Sequence, residues 1–187
     1  MENKMKRYTQ NIVDKIVQVA KEENKQLLDI AKNDLNSKIG IFHMPELAFA
    51  YECGKQIMQN ANEIFESNIP QWCREEKLEN AGLSDLVFGF SDDTKIVIEF
   101  KMRGKVDTYM SDVNKLEKLA DEKYIKLFCA IVDTYKKDLP YDGRIKTIDD
   151  DERTEQLYLN SFRTNQTWYE SEVYGLVGIW KVNSLVK

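Results

Sequence analysis

The stretch GLSDLVFGFSDDTKIVIEFKMR, Gly82 to Arg103, decides the fold. Its two halves, Ser84 to Phe90 and Lys95 to Lys101, are rich in β-branched and aromatic residues, and the polar Ser91-Asp92-Asp93-Thr94 separates them. That pattern predicts a β-hairpin. With Asp85 opposite Glu99, Phe90 falls opposite Thr94 and a three-residue loop closes the pair, a common hairpin connection.

Side chains alternate along a strand, so this register sends Leu86, Phe88, Phe90, Ile96, Ile98 and Phe100 to one face. Asp85, Val87, Val97, Glu99 and Lys101 take the other. Two carboxylates and an ammonium therefore meet at one end of an apolar ribbon. Neighbouring carboxylates repel unless a cation lies between them, and a hard ion such as Mg²⁺ takes oxygen ligands. Lys101 points to the same side, where it can hold or help deprotonate a water. Together these groups suit phosphodiester hydrolysis. Read without chemistry, the same face is a solvated sheet surface on which Glu99 and Lys101 balance charge.

The spacing Asp85-x13-Glu99-x-Lys101 resembles the motif of the PD-(D/E)XK nucleases, the restriction-endonuclease-like superfamily, with Ser84-Asp85 in place of Pro-Asp. The resemblance spans about residues 40–135 and implies an α/β fold. Its αβββαβ core would have a mixed central sheet flanked by helices, here with an N-terminal helix and a C-terminal helix/strand extension. It further implies a Mg²⁺-dependent endonuclease acting on DNA, with Mn²⁺ able to substitute. Asp85, Glu99 and the backbone carbonyl of Phe100 would ligate the metal, and Lys101 would orient or activate the attacking water. Members of this family often carry a metal-facing glutamate on the helix before the sheet, which here would be Glu46. Small members resemble dimers built on peripheral helices, so a homodimer is a further expectation. The Gln-x-x-x-Tyr signature of exonuclease-like branches is missing from the helix expected after Val106.

The chain's 187 residues, 42% hydrophobic and 32% charged, suit one domain, 1–187, with a sizeable core. A net charge of −5 argues against a general electrostatic grip on nucleic acid, though a local basic groove is compatible with it. Apolar runs are too short to span a bilayer and no signal peptide opens the chain, so a cytoplasmic, non-membrane protein is expected. The odd set of Cys53, Cys73 and Cys129 lacks C-x-x-C spacing and indicates neither disulfides nor zinc. They are expected to be reduced and mostly buried. His43 is the only histidine, which excludes paired-imidazole metal sites.

Helical periodicity predicts a helix over residues 5–35 and a second from Pro45 to about Phe65, with Leu47, Ala50, Tyr51, Gly54, Ile57, Met58, Ala61, Ile64 and Phe65 as its buried stripe. Glu46 shares a face with Ala50, Cys53 and Ile57. A first-turn glutamate also simply complements a helix dipole, and the sequence leaves both readings open. Gln71–Leu78 is expected to be a partly exposed strand. Arg103 and Lys105 form a small basic cluster at the mouth of the site, suited to phosphates. A helix over 106–123 places Tyr109, Val113 and Leu116 inside and Asp112 and Lys115 on its polar side. The unbroken run Leu127–Val132 predicts a buried strand parallel to its neighbour. In the tail, Asp149–Glu152 is expected to start a helix through Leu157 and Phe162, and Leu176–Trp180 to form a last strand. Asn165 and Gln166, near Trp168 and Tyr169, suggest a nucleic-acid-facing loop.

Two rivals share these residues. One is an inactive nuclease-fold binding or immunity-type module that uses its acidic surface against a basic protein. The other is a nuclease of the same fold directed at RNA.

Overall fold

A computed structural model describes residues 2–31, 40–164 and 171–185. In chain order the elements are α1 (Glu2–Ala31), α2 (Glu46–Gln59), α3 (Ala61–Phe65), β1 (Gln71–Leu78), β2 (Gly82–Gly89), β3 (Lys95–Met102), α4 (Val106–Glu117), β4 (Tyr124–Tyr135), α5 (Gly143–Asp149), β5 (Thr154–Arg163) and β6 (Val173–Val182). The fold is α/β. Its six strands form one mixed, open sheet in the order β1-β2-β3-β4-β6-β5, in which only β3 and β4 run parallel.

The hairpin register is the one the alternation requires. Leu86 pairs with Ile98, Val87 with Val97 and Phe88 with Ile96, while the Phe90 amide donates to the Thr94 carbonyl at 2.9 Å. Asp93 closes the three-residue loop at φ 64°, the left-handed conformation that such loops need at this position.

The sheet separates two apolar layers. On one side Leu86, Phe88, Phe90, Ile96, Ile98 and Phe100 pack against α1 and α2; on the other Val87 and Val97 pack against α4 and α5. Strand β4 serves both layers, with Leu127, Cys129 and Ile131 on the first and Phe128, Ala130 and Val132 on the second. Burial on both faces is why its sequence is an unbroken apolar run.

Several expectations need correction. The helix after Pro45 breaks at Asn60, whose side chain and backbone amides both turn back onto the Gln56 carbonyl, and Pro45 is its N-cap rather than its first turn. Within α2, Leu47 and Tyr51 are exposed, and Phe49 and Cys53 occupy the core positions instead. Gly54 is held to its size by β1, because a Cβ there would lie 2.3 Å from the Trp72 ring. Helix α4 ends at Glu117, earlier than the periodicity suggests.

The acidic run does not begin a helix. It ends α5, which Asp142 caps from the other end by accepting the Arg144 amide, and the segment through Leu157 and Phe162 is the edge strand β5. Acidic groups at a helix C-terminus oppose its dipole. Here they are compensated: Asp149 accepts the Trp180 indole N–H at 2.6 Å, and Asp151 takes the Arg153 guanidinium at 2.6 and 2.8 Å. Cys53 and Cys129 are buried free thiols, but Cys73 is exposed on β1. The expected α1 extends from Glu2 to Ala31; Leu35 lies outside the described residues, as do Asn165 and Gln166 with Trp168 and Tyr169. Among the described residues no helix is long and apolar enough to cross a membrane.

Candidate functional site

Strand pairing lapses on both sides of β2 at a single residue, Asp85. Leu86 pairs with Arg74 of β1 and with Ile98 of β3, and Ser84 pairs with Glu76, but Asp85 itself has no partner in either ladder. Glu75, which would oppose it on β1, sits at φ 52°. The hairpin opens into a fork there. The Asp85 carboxylate fills the gap, with Oδ2 accepting the Phe100 amide at 2.8 Å in place of a strand carbonyl.

Glu99 lies in the same fork and is only 2% exposed. Its Oε2 accepts from Lys115 Nζ at 2.8 Å, whereas its buried Oε1 makes no hydrogen bond of good geometry, and the buried Ser84 hydroxyl is the neutral donor that adds to Lys115 in favouring the carboxylate. Burial raises the Glu99 pKa, and against the opposing effect of Lys115 the nearby Asp85 charge adds to it, reaching about 7. Burial also raises the pKa of Asp85, with Glu46 adding to the rise and the Phe100 amide, Lys115 and Lys101 opposing it. The two carboxylates therefore feel one another.

Lys101 bridges the two layers of helices. Its ammonium reaches Glu46 Oε1 at 3.1 Å and Asp112 Oδ2 at 3.3 Å. Burial disfavours its charge, but Asp112 and Glu46 outweigh that and raise its pKa. Lys101 is thus an ammonium, suited to holding and orienting rather than to taking a proton. Glu46 does not spend its carboxylate on the amides of its own helix: Oε2 accepts the Met102 amide at 2.7 Å, tying the start of α2 to the end of β3.

Helix α4 supplies two residues that periodicity placed on its wet side. Asp112 and Lys115 lean over the sheet end instead, and Lys115 also donates to the Leu83 carbonyl. The signal that could have found them is their i, i+3 spacing beside Tyr109, Val113 and Leu116, combined with a crossover helix that must lie on the Val87 and Val97 face.

The basic cluster is divided. Arg103 sits over the Phe42 ring at 4.6 Å and pairs with Asp133 at 3.6 Å, so its guanidinium is turned toward β4. Lys105 is exposed at the N-cap of α4.

The donor chemistry fits a hard divalent ion: carboxylate oxygens of Asp85 and Glu99, the Phe100 carbonyl, and a buried Glu99 oxygen without a hydrogen bond of good geometry. As the side chains stand, however, no group of three or more histidine, cysteine, aspartate or glutamate side chains is arranged as a metal cluster among the described residues. Lys115 holds Glu99 and the Phe100 amide holds Asp85 instead. No protein-family model, no curated protein and no solved structure matches the chain.

Proposed function

We propose that this protein is a Mg²⁺-dependent endonuclease with a restriction-endonuclease-like core, acting on phosphodiester bonds in DNA. The observation that carries the reading is the fork at Asp85, where Asp85, Glu99 and Lys101 gather with Glu46 at the end of an αβββαβ run of elements. Asp85, Glu99 and the Phe100 carbonyl would hold the ion. When bound, Mg²⁺ would neutralise charge on the scissile phosphate and make an attacking water more acidic.

The chain's own groups do the positioning. Lys101, kept charged by Glu46 and Asp112, donates hydrogen bonds to the water or a phosphate oxygen near Glu99. Glu46 fixes the Lys101 ammonium and the Met102 backbone together, so the strand end and α2 move as one. Phe49 packs edge-on against Phe100 at 5.6 Å and keeps that strand end in place from the apolar side.

Lys115 lodged on Glu99 favours a second reading, in which the site is inactive and the fold serves as a protein-binding module. One experiment separates the two. Mn²⁺ calorimetry is run beside single-turnover cleavage of duplex, single-stranded and branched DNA and RNA. Asp85→Asn or Glu99→Gln should abolish both metal binding and cleavage. Lys101→Ala should keep metal binding and slow cleavage by about 10²- to 10³-fold, the usual cost of losing one positioned donor to the transition state. A wild-type protein that binds no divalent metal leaves only the binding module, whereas cleavage of RNA alone reassigns the substrate.

A further inference from the structure

Glu99 is a half-compensated buried carboxylate. One oxygen is paired with Lys115 at 2.8 Å, and the other is buried with no hydrogen bond of good geometry, the neutral Ser84 hydroxyl being its nearest help. One ammonium and one hydroxyl compensate a buried carboxylate poorly, so the group is poised for a better cation. The two lysines near the fork differ in what they hold. Lys101 is claimed by Glu46 and Asp112, neither of which lies on the hairpin, and so does not compete for Glu99. Lys115 contacts the hairpin glutamate itself. Its second bond, to the Leu83 carbonyl, gives the ammonium somewhere to stay when it leaves Glu99, because Leu83 is exposed at the open end of β2.

We infer that Lys115 is a resident counter-cation of the candidate metal site, holding by one oxygen the Glu99 carboxylate that a divalent ion would share and so setting the site's metal affinity. The inference rests on the metal-dependent reading above and adds to it a residue outside the hairpin motif. A divalent ion and an ammonium on the same Glu99 carboxylate repel one another, so Lys115 opposes metal entry as long as it stays there, and the Leu83 carbonyl is where it can withdraw.

The test is calorimetric titration of the full chain with Mn²⁺ alone, comparing wild type with Lys115→Met, Lys115→Gln and Lys115→Arg. Removing the charge should tighten Mn²⁺ binding by about tenfold or more, from relief of like-charge repulsion at close range. Lys115→Arg, which keeps the charge, should bind as wild type does; a merely structural role for Lys115 would weaken binding in the neutral variants rather than tighten it. Should either neutral variant be too unstable to titrate, the same comparison is read as the Mn²⁺-induced rise in Tm, which should exceed that of wild type. If wild type binds Mn²⁺ and the neutral variants bind it equally or more weakly, the inference is overturned and the metal site stands. If none binds Mn²⁺, the metal reading and this inference fall together.

Discussion

Replacing Glu99 by glutamine should make the metal-free protein more stable, and increasingly so as pH rises. Glu99 is only 2% exposed and its pKa is raised to about 7, chiefly by burial. A carboxyl with a higher pKa in the folded chain binds its proton more tightly when folded. Stability therefore falls as pH rises, starting near the unfolded value of about 4.3 and levelling off above about 7. A rise of that size corresponds to roughly 3–4 kcal/mol of folding free energy across the window. Glutamine has the shape of the protonated side chain and does not titrate. Relative to wild type, Glu99→Gln should therefore gain about 2–3 kcal/mol between pH 4.5 and pH 8.5. The ion pair with Lys115 forms in wild type only as Glu99 ionises, and its favourable effect is already contained in the pKa of about 7. Urea unfolding in EDTA, followed by the emission of buried Trp180, measures it directly. A difference between the two proteins that stays flat with pH, or that shrinks as pH rises, refutes the reasoning. In Mg²⁺ at one hundred times its Kd, wild type should recover about 2.7 kcal/mol at pH 8.5 and the variant nothing.

Glu46→Ala should leave the Met102 amide without its acceptor and free Lys101, costing about 1–2 kcal/mol in unfolding free energy. Glu46→Gln, which can still accept from that amide, should cost less in the same urea titration. Gly54→Ala should destabilise by about 1–3 kcal/mol and shift Trp72 fluorescence, because the added methyl meets the Trp72 ring at 2.3 Å and Leu86 at 2.8 Å. Asp93→Gly should raise Tm slightly, by the equivalent of about 0.5–1 kcal/mol, since φ 64° suits glycine better than aspartate; an unchanged or lower Tm in a thermal melt would count against the turn geometry.

What the sequence made legible is the hairpin, with its register, its two faces and the strand β4, because period-2 alternation between one polar turn and one apolar run admits few arrangements. Glu46 was legible as an anomaly on an apolar stripe. Asp112 and Lys115 were not, because a helical wheel assumes that everything off the apolar stripe meets water. Over α4, the sheet itself turns polar at the fork, and those two side chains find partners there. Leu47 and Tyr51 misled in the opposite sense: they are apolar and in phase, yet both are exposed, and Tyr51 rests against Trp72 and Arg74 of the edge strand β1. Strand β5 is half-buried or exposed at every position, so it shows no alternation to read. The aspartates before it looked like a helix start because the indole that takes Asp149 belongs to Trp180 on β6, a partner that becomes adjacent only after folding.

The bond from the Phe100 amide to Asp85 also gives the molecule a spectroscopic reporter. Most strand amides donate to peptide carbonyls, whose charge never changes; this one donates to a carboxylate whose charge does. Its proton resonance should lie far downfield while Asp85 is ionised and move upfield when Asp85 takes a proton or turns toward another cation. One labelled phenylalanine thus records, in a single peak, the occupancy and protonation of the fork without any added probe.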